Sequence, residues 1–177
     1  MLPVVSPSEI ASRLCAACGL CCNGVMFHFV RLQGADSAPA LAALGLKLKR
    51  KRGQNYLFQP CPAFRETHCA IYAARPERCR LFACRQLTAL ASGEIAETAA
   101  LEKIREAKTL VARIEALIEK TGATNLRRPL SKRCEKALAE PRFDPDGAET
   151  QRQLTLVTRE LDAMLDRDFR IARPKSD

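Results

Sequence analysis

The chain has 177 residues, 47% of them hydrophobic and 28% charged. These proportions exclude a disordered chain and allow one domain, or one domain with an appendage, whose core is large enough not to need cysteine staples. No apolar run reaches membrane-spanning length. The net charge of +9 attracts anions, but its dispersal suits a solvated basic surface better than a nucleic-acid footprint.

The N-terminus, Met1 to Glu9, has no basic start and no apolar run, so no signal peptide is expected. A reducing cytoplasm follows as the expected home, where clustered thiols favour metal or redox chemistry over disulfides. Residues 6–14 predict a short helix, with Ser6 or Ser8 as cap and Ile10 and Leu14 on one face. Val25 to Leu32 is short, β-branched and aromatic and predicts a strand. Residues 33–40 carry loop chemistry, and residues 39–45 predict a turn or two of helix ended by Gly45.

Leu46 to Arg50 alternates, Gly53-Gln54-Asn55 supplies a turn, and Tyr56-Leu57-Phe58 forms a second apolar run, which together predict a β-hairpin. Its Lys47–Arg52 segment is the strongest local positive patch, accounted for more readily by a solvated face than by nucleic acid. From about Glu94 the pattern is helical. Ile104, Val111 and Ile118 recur every seven residues over 94–120, with Gly122 as the stop. A second helix is expected at 131–139 with Ser131 as cap. A third is expected at 148–169, after the turn Asp144-Pro145-Asp146-Gly147, with Leu154, Val157, Leu161, Leu165 and Phe169 facing inward. The long helices are expected to pair antiparallel, against the rest of the chain or a second subunit.

Eight of the nine cysteines lie between positions 15 and 84: Cys15, Cys18, Cys21, Cys22, Cys61, Cys69, Cys79 and Cys84. Thiolates are strong ligands for zinc and iron–sulfur centres, and four complete a tetrahedral site. Cys15-x-x-Cys18-x-x-Cys21 has the spacing of bacterial ferredoxin clusters, with Cys61-Pro62 one source of a fourth ligand. Neighbouring side chains in extended backbone point apart, so Cys21 and Cys22 serve different centres, or one is no ligand. Eight thiols suffice for two four-ligand sites, or for one site plus four other thiols. His28 and His68 read as packing or hydrogen-bonding residues, and Cys134 as a lone helical thiol. No phosphate loop, catalytic triad or zinc-protease motif is present, so catalysis has no support beyond the metal itself.

The run Cys15-x-x-Cys18-x-x-Cys21-Cys22, then Cys61-Pro62, Cys69-x-Ile71-Tyr72-x-x-Arg75-Pro76-x-x-Cys79-Arg80-x-Phe82-x-Cys84, resembles the YkgJ-type cysteine-cluster family. That family is described as zinc- or iron-chelating and named for its CxxCxxCC run. The resemblance spans residues 15–84 and implies metal ligation by the eight matching cysteines. Some larger relatives join a similar module to protein-lysine methylation, but this chain shows no methyltransferase domain. Arg75 and Arg80 are expected to offset thiolate charge, Pro76 to fix a turn aiming Cys79 and Cys84 inward, and Tyr72 and Phe82 to shield the site.

The expected fold is α+β, mostly helical. A small cysteine-rich metal module with a short β-hairpin, residues 1–90, precedes a helical region, residues 91–177. The expected function is binding of an iron–sulfur cluster or Zn²⁺, in one or two centres, with iron slightly favoured by spacing. The rivals are an iron–sulfur-dependent oxidoreductase or protein-modifying enzyme, and a zinc-stabilised adaptor binding nucleic acid or protein. A protein partner or homo-oligomer through the C-terminal helices is expected, and no membrane.

Overall fold

The computed structural model describes residues 7–66, 68–122, 125 and 127–171. Helix α1 (Pro7–Cys18) comes first. It runs past the expected end at residue 14 because Cys15-Ala16-Ala17-Cys18 contains no breaker. Ser6 and the side chains of Ser8 and Ile10, on which its cap and face were read, lie outside the described residues. Gly19 stops it at φ +69°, donating its N–H to the Cys15 carbonyl at 3.0 Å. A turn over residues 20–24 then carries Cys21 and Cys22.

Strand β1 (Phe29–Arg31) is shorter than the expected 25–32. Met26 N–H instead donates back to the Leu20 carbonyl at 2.9 Å, and Met26 is buried, so the residues before β1 close a turn rather than extend a sheet. Helix α2 (Ala38–Ala43) is ended by Gly45, as expected, and Ser37, read as loop chemistry, is its N-cap. Strands β2 (Leu48–Lys51) and β3 (Gln54–Phe58) form the predicted hairpin. Its turn is Arg52-Gly53, both at positive φ, so Gln54 and Asn55 belong to the strand and pair with Lys51 and Arg50. The antiparallel sheet has the order β1-β3-β2. Val30, Leu48 and Leu57 on its inner face join Leu32, Leu41, Leu46 and Ala63 in a small core.

Five short elements follow that hydrophobic periodicity does not announce. They are the two-residue strands β4 (Phe64–Arg65) and β5 (His68–Cys69), a 3₁₀ turn (Tyr72–Ala74), then α3 (Glu77–Leu81) and α4 (Arg85–Ala91). The long helices are α5 (Glu97–Lys120), α6 (Leu130–Leu138) and α7 (Pro145–Asp168). Pro129, not Ser131, occupies the N-cap of α6, and the Ser131 hydroxyl pairs with His28 Nε2 at 2.7 Å. The expected turn at 144–147 is itself the start of α7. Asp144 Oδ1 accepts from Gly147 N–H at 2.7 Å, and Pro145 fills the first helical position.

Helices α5 and α7 run antiparallel. Arg113 near the end of α5 donates to Gln153 near the start of α7, while Lys103 near the start of α5 feels the charge of Asp168 at the end of α7. Their apolar stripes, with Leu130, Cys134 and Ala137 of α6, form the main core. Leu14 and Leu20, which flank the first cysteines, are 2% and 1% exposed in that same core, each contributing about 2 kcal/mol by burial. Among the described residues, no helix is long and apolar enough to cross a membrane.

Gly19 also settles how the cysteine segments meet. A Cβ at this position would stand 2.4 Å from Phe64 Cζ, so the ring of β4 lies directly on the glycine that ends α1. Gly19→Ala is expected to cost about 3 kcal/mol, from the left-handed φ and the clash together. Urea unfolding of the metal-free protein checks this, and an unchanged midpoint would contradict it.

Candidate metal centre

All nine cysteines are free thiols. Cys15 and Cys18 lie one turn apart on the last turn of α1, and therefore on one face. Cys21 and Cys22 share the following turn, Cys61 precedes β4, Cys69 lies in β5, Cys79 in α3, and Cys84 at the N-cap of α4. Seven of these eight are half-buried, and Cys15 is exposed. Cys134 is buried between α6 and α7, with Thr158 Oγ1 3.7 Å from its sulfur, and stands apart from the others.

The eight divide by their surroundings. Cys18 and Cys21 pack against the main core, while Cys61 and Cys69 pack against the small core behind the sheet. Cys22 turns toward the second group, its carbonyl accepting from Cys61 N–H at 2.8 Å. Cys84 is tied to the first side, because Arg85 N–H donates to the Phe169 carbonyl at 3.0 Å and Gln86 Nε2 to the Asp168 carbonyl at 2.7 Å. The end of α7 thus holds the start of α4, and Cys84 with it.

Mutual charge effects follow the same division. A charge on Cys84 raises Cys15, Cys18 and Cys21, charges on Cys61, Cys69 and Cys79 raise Cys22, and the two sets adjoin where Cys21 feels Cys22 and Cys22 feels Cys15. Among the described residues, no three Cys, His, Asp or Glu side chains stand as a ready-made metal-holding group. The grouping is one of proximity and shared surroundings.

The sequence signature of the CxxCxxCC family, whose description reads "putative zinc- or iron-chelating domain", matches residues 14–103, just over half of the 177. The chain belongs to this family. No curated protein and no solved structure matches it. The CxxCxxCC match takes in the sheet, β4, β5, α3, α4 and the first turns of α5, and so reaches past the 15–84 span of the motif.

Burial raises the pKa of seven of the CxxCxxCC thiols: Cys15, Cys18, Cys21, Cys22, Cys61, Cys79 and Cys84. Desolvation first, and neighbouring thiols after it, push Cys18 and Cys22 up to about 12, Cys79 to about 11 and Cys21 well above the ordinary value. Several groups oppose this. Leu20 N–H favours ionised Cys18, the N–H groups of Ala63 and Phe64 favour ionised Cys61, and those of Gln86 and Leu87 in the open first turn of α4 favour ionised Cys84. Arg75 favours the thiolates of Cys15 and Cys79, one from each set. Its guanidinium lies 3.5 Å over the Tyr72 ring and donates to the Tyr72 carbonyl, while the Tyr72 hydroxyl is 2.6 Å from Ser12 Oγ on α1.

Two contributors were not singled out from the sequence. Lys108 of α5 favours ionised Cys18 and donates to the Ala17 carbonyl at 3.2 Å. Asp36 accepts from Glu77 N–H at 2.8 Å, capping α3 from a distant loop and so fixing Cys79. Pro76, buried at the N-cap of α3, makes the turn expected of it. Of the other expected residues, Arg80 lines a surface pocket with Asp36, Leu41 and Leu44. Phe82 packs edge-on against Phe27 at the main core, and Tyr72 is exposed. His28 is engaged with Ser131, and His68 is exposed on β5.

Because folding raises these thiol pKa values, the metal-free protein binds protons more tightly folded than unfolded. That stability is complete below the ordinary value of 9.0 and is lost as pH climbs toward about 12. Urea midpoints of chelator-treated protein are expected to fall between about pH 8 and about pH 10.5, a window set by the same linkage. Equal midpoints would contradict the desolvated thiols.

Proposed function

We propose that the protein holds metal in two adjoining four-thiolate centres, one formed by Cys15, Cys18, Cys21 and Cys84 and the other by Cys22, Cys61, Cys69 and Cys79. The observation that carries the reading is that Cys18 and Cys21 pack against one core and Cys61 and Cys69 against the other, while Cys22, next to Cys21, is tied through its carbonyl to Cys61.

The first set joins a C-x₂-C-x₂-C run to one remote cysteine, the ligand pattern of a four-iron cluster. We therefore assign it iron–sulfur chemistry, which supplies one-electron transfer when the cluster is bound. The second set draws each thiol from a different element and has the composition of a closed four-thiolate site for zinc or iron. In chemical type, four thiols suit a soft or borderline cation. Four thiolates on a divalent ion leave a net charge near −2, and Arg75 and Lys108 stand where they offset it. Leu14, Leu20 and Phe64 keep water from the inner side of the run.

The test is metal and acid-labile sulfide content of protein purified without oxygen, for Cys18→Ser, Cys79→Ser and Cys134→Ser beside the unsubstituted chain. Cys18→Ser is expected to lose the iron and sulfide of the first centre and keep the metal of the second. Cys79→Ser is expected to do the reverse, and Cys134→Ser to lose nothing. Complete loss in either single variant would overturn the two-centre grouping. Full retention in both would overturn the ligand assignment. Zinc without sulfide in the unsubstituted chain would overturn the cluster.

A further inference from the structure

The sheet has a second face, turned away from the small core. The register places Phe29 opposite Phe58, and Arg31 and Lys49 on either side of Tyr56. With Lys51 in the next outward row, that face reads as three aromatics edged by three cations. Phe29 is 50% and Phe58 42% exposed. Phe29 meets Tyr56 edge-on, with centroids 5.3 Å apart, and lies 6.1 Å from Phe58. Lys49 Nζ stands 5.2 Å from the Phe58 ring centre. Two adjoining half-exposed phenylalanines cost free energy in water and do nothing for the inner core.

Charge on this part of the chain is one-sided. Between residues 25 and 58 stand Arg31, Lys47, Lys49, Arg50, Lys51 and Arg52, against Asp36 alone. Asp36 is engaged with the N–H groups of Gln33 and Glu77. Among the described residues, none of those six cations forms an ion pair with a carboxylate. The Lys47–Arg52 patch taken alone suits a solvated hairpin. The register adds rings in the same face, and this combination selects the partner.

We propose that the outward face of the β1-β3-β2 sheet binds single-stranded nucleic acid. Bases stack on Phe29, Phe58 and Tyr56, and phosphates lie along Arg31, Lys49, Lys51 and Arg52. Stacking on aromatic rings beside cations that track the backbone is how sequence-tolerant single-strand binding works. The rings lie on the flat of a sheet, not at a loop tip. That arrangement suits planar bases and is a poor wedge for a lipid surface. The site is independent of the metal reading, since none of its residues is a cysteine or touches one of the cations assigned to the thiols.

The test uses the full metal-loaded chain and a fluorescein-labelled mixed-sequence RNA of about 12 nucleotides, enough to span one such face. Phe29→Leu and Phe58→Leu keep apolar volume and remove the ring. Each is expected to weaken binding about tenfold while metal content and melting hold. Lys49→Gln with Lys51→Gln is expected to weaken binding and flatten its salt dependence. For about four phosphate contacts, raising salt from about 50 to about 200 mM should cost about 50-fold in affinity. The proposal is overturned by absence of binding, by affinity that the Leu variants leave unchanged, or by capture on phosphatidylserine vesicles without capture of the RNA. Equal affinity for a duplex of the same length also overturns it.

Discussion

Eight thiols within 70 residues can act as ligands only as thiolates, and partial burial makes the thiolate costly at most of them. Desolvation holds Cys18, Cys21 and Cys22 far above the ordinary thiol range. Much of the local architecture can be understood as compensation for that cost. Arg75 is clamped over Tyr72, and through Tyr72 to α1, so that one cation serves Cys15 and Cys79. Lys108 reaches the end of α1 from a helix far along the chain. The open first turn of α4 presents N–H groups to Cys84. A cation bound among the thiols would complete what these groups begin, and its binding would release the protons that burial now retains.

The second constraint is geometric. Cys21 and Cys22 are consecutive, yet one packs on the helical core and the other is tied through its carbonyl to Cys61. Gly19 makes the division possible. Its left-handed conformation ends α1 at once, and its missing side chain admits Phe64. The two cysteine segments therefore meet edge to edge rather than merging. The helical half of the chain is bound into this arrangement, because the end of α7 anchors α4 and Leu14 and Leu20 share its core.

The legible parts of the sequence were those where one residue type repeats at a fixed interval. The seven-residue spacing of Ile104, Val111 and Ile118 gave α5 within a few residues, and the alternation before Gly53 gave the hairpin. The spacing of the cysteines pointed to a zinc- or iron-chelating module, the family the chain belongs to. What could not be read were effects that depend on distant partners. Asp36 looked like loop chemistry, because its acceptor role appears only when Glu77 is brought to it from 41 residues away. Lys108 carries no sequence signal of its place beside the end of α1. Elements β4, β5, α3 and α4 are too short for any periodicity to develop. Asp144-Pro145-Asp146-Gly147 contains the residues of a turn and of a helix cap alike, and the stripe that followed it made the cap the outcome.

The sheet is the wall between the two proposed sites. Leu57 and Leu48 face the small core against which Cys61 and Cys69 pack, while Tyr56, Phe58 and Lys49, alternating with them along the same strands, face out. A strand displaced on its inner side moves its outer side chains with it, because the two sets share one backbone. Metal bound by the second set would stiffen Cys61, Cys69 and the small core, and with them the spacing of the outer rings. The two proposed sites thus share this wall and no side chain.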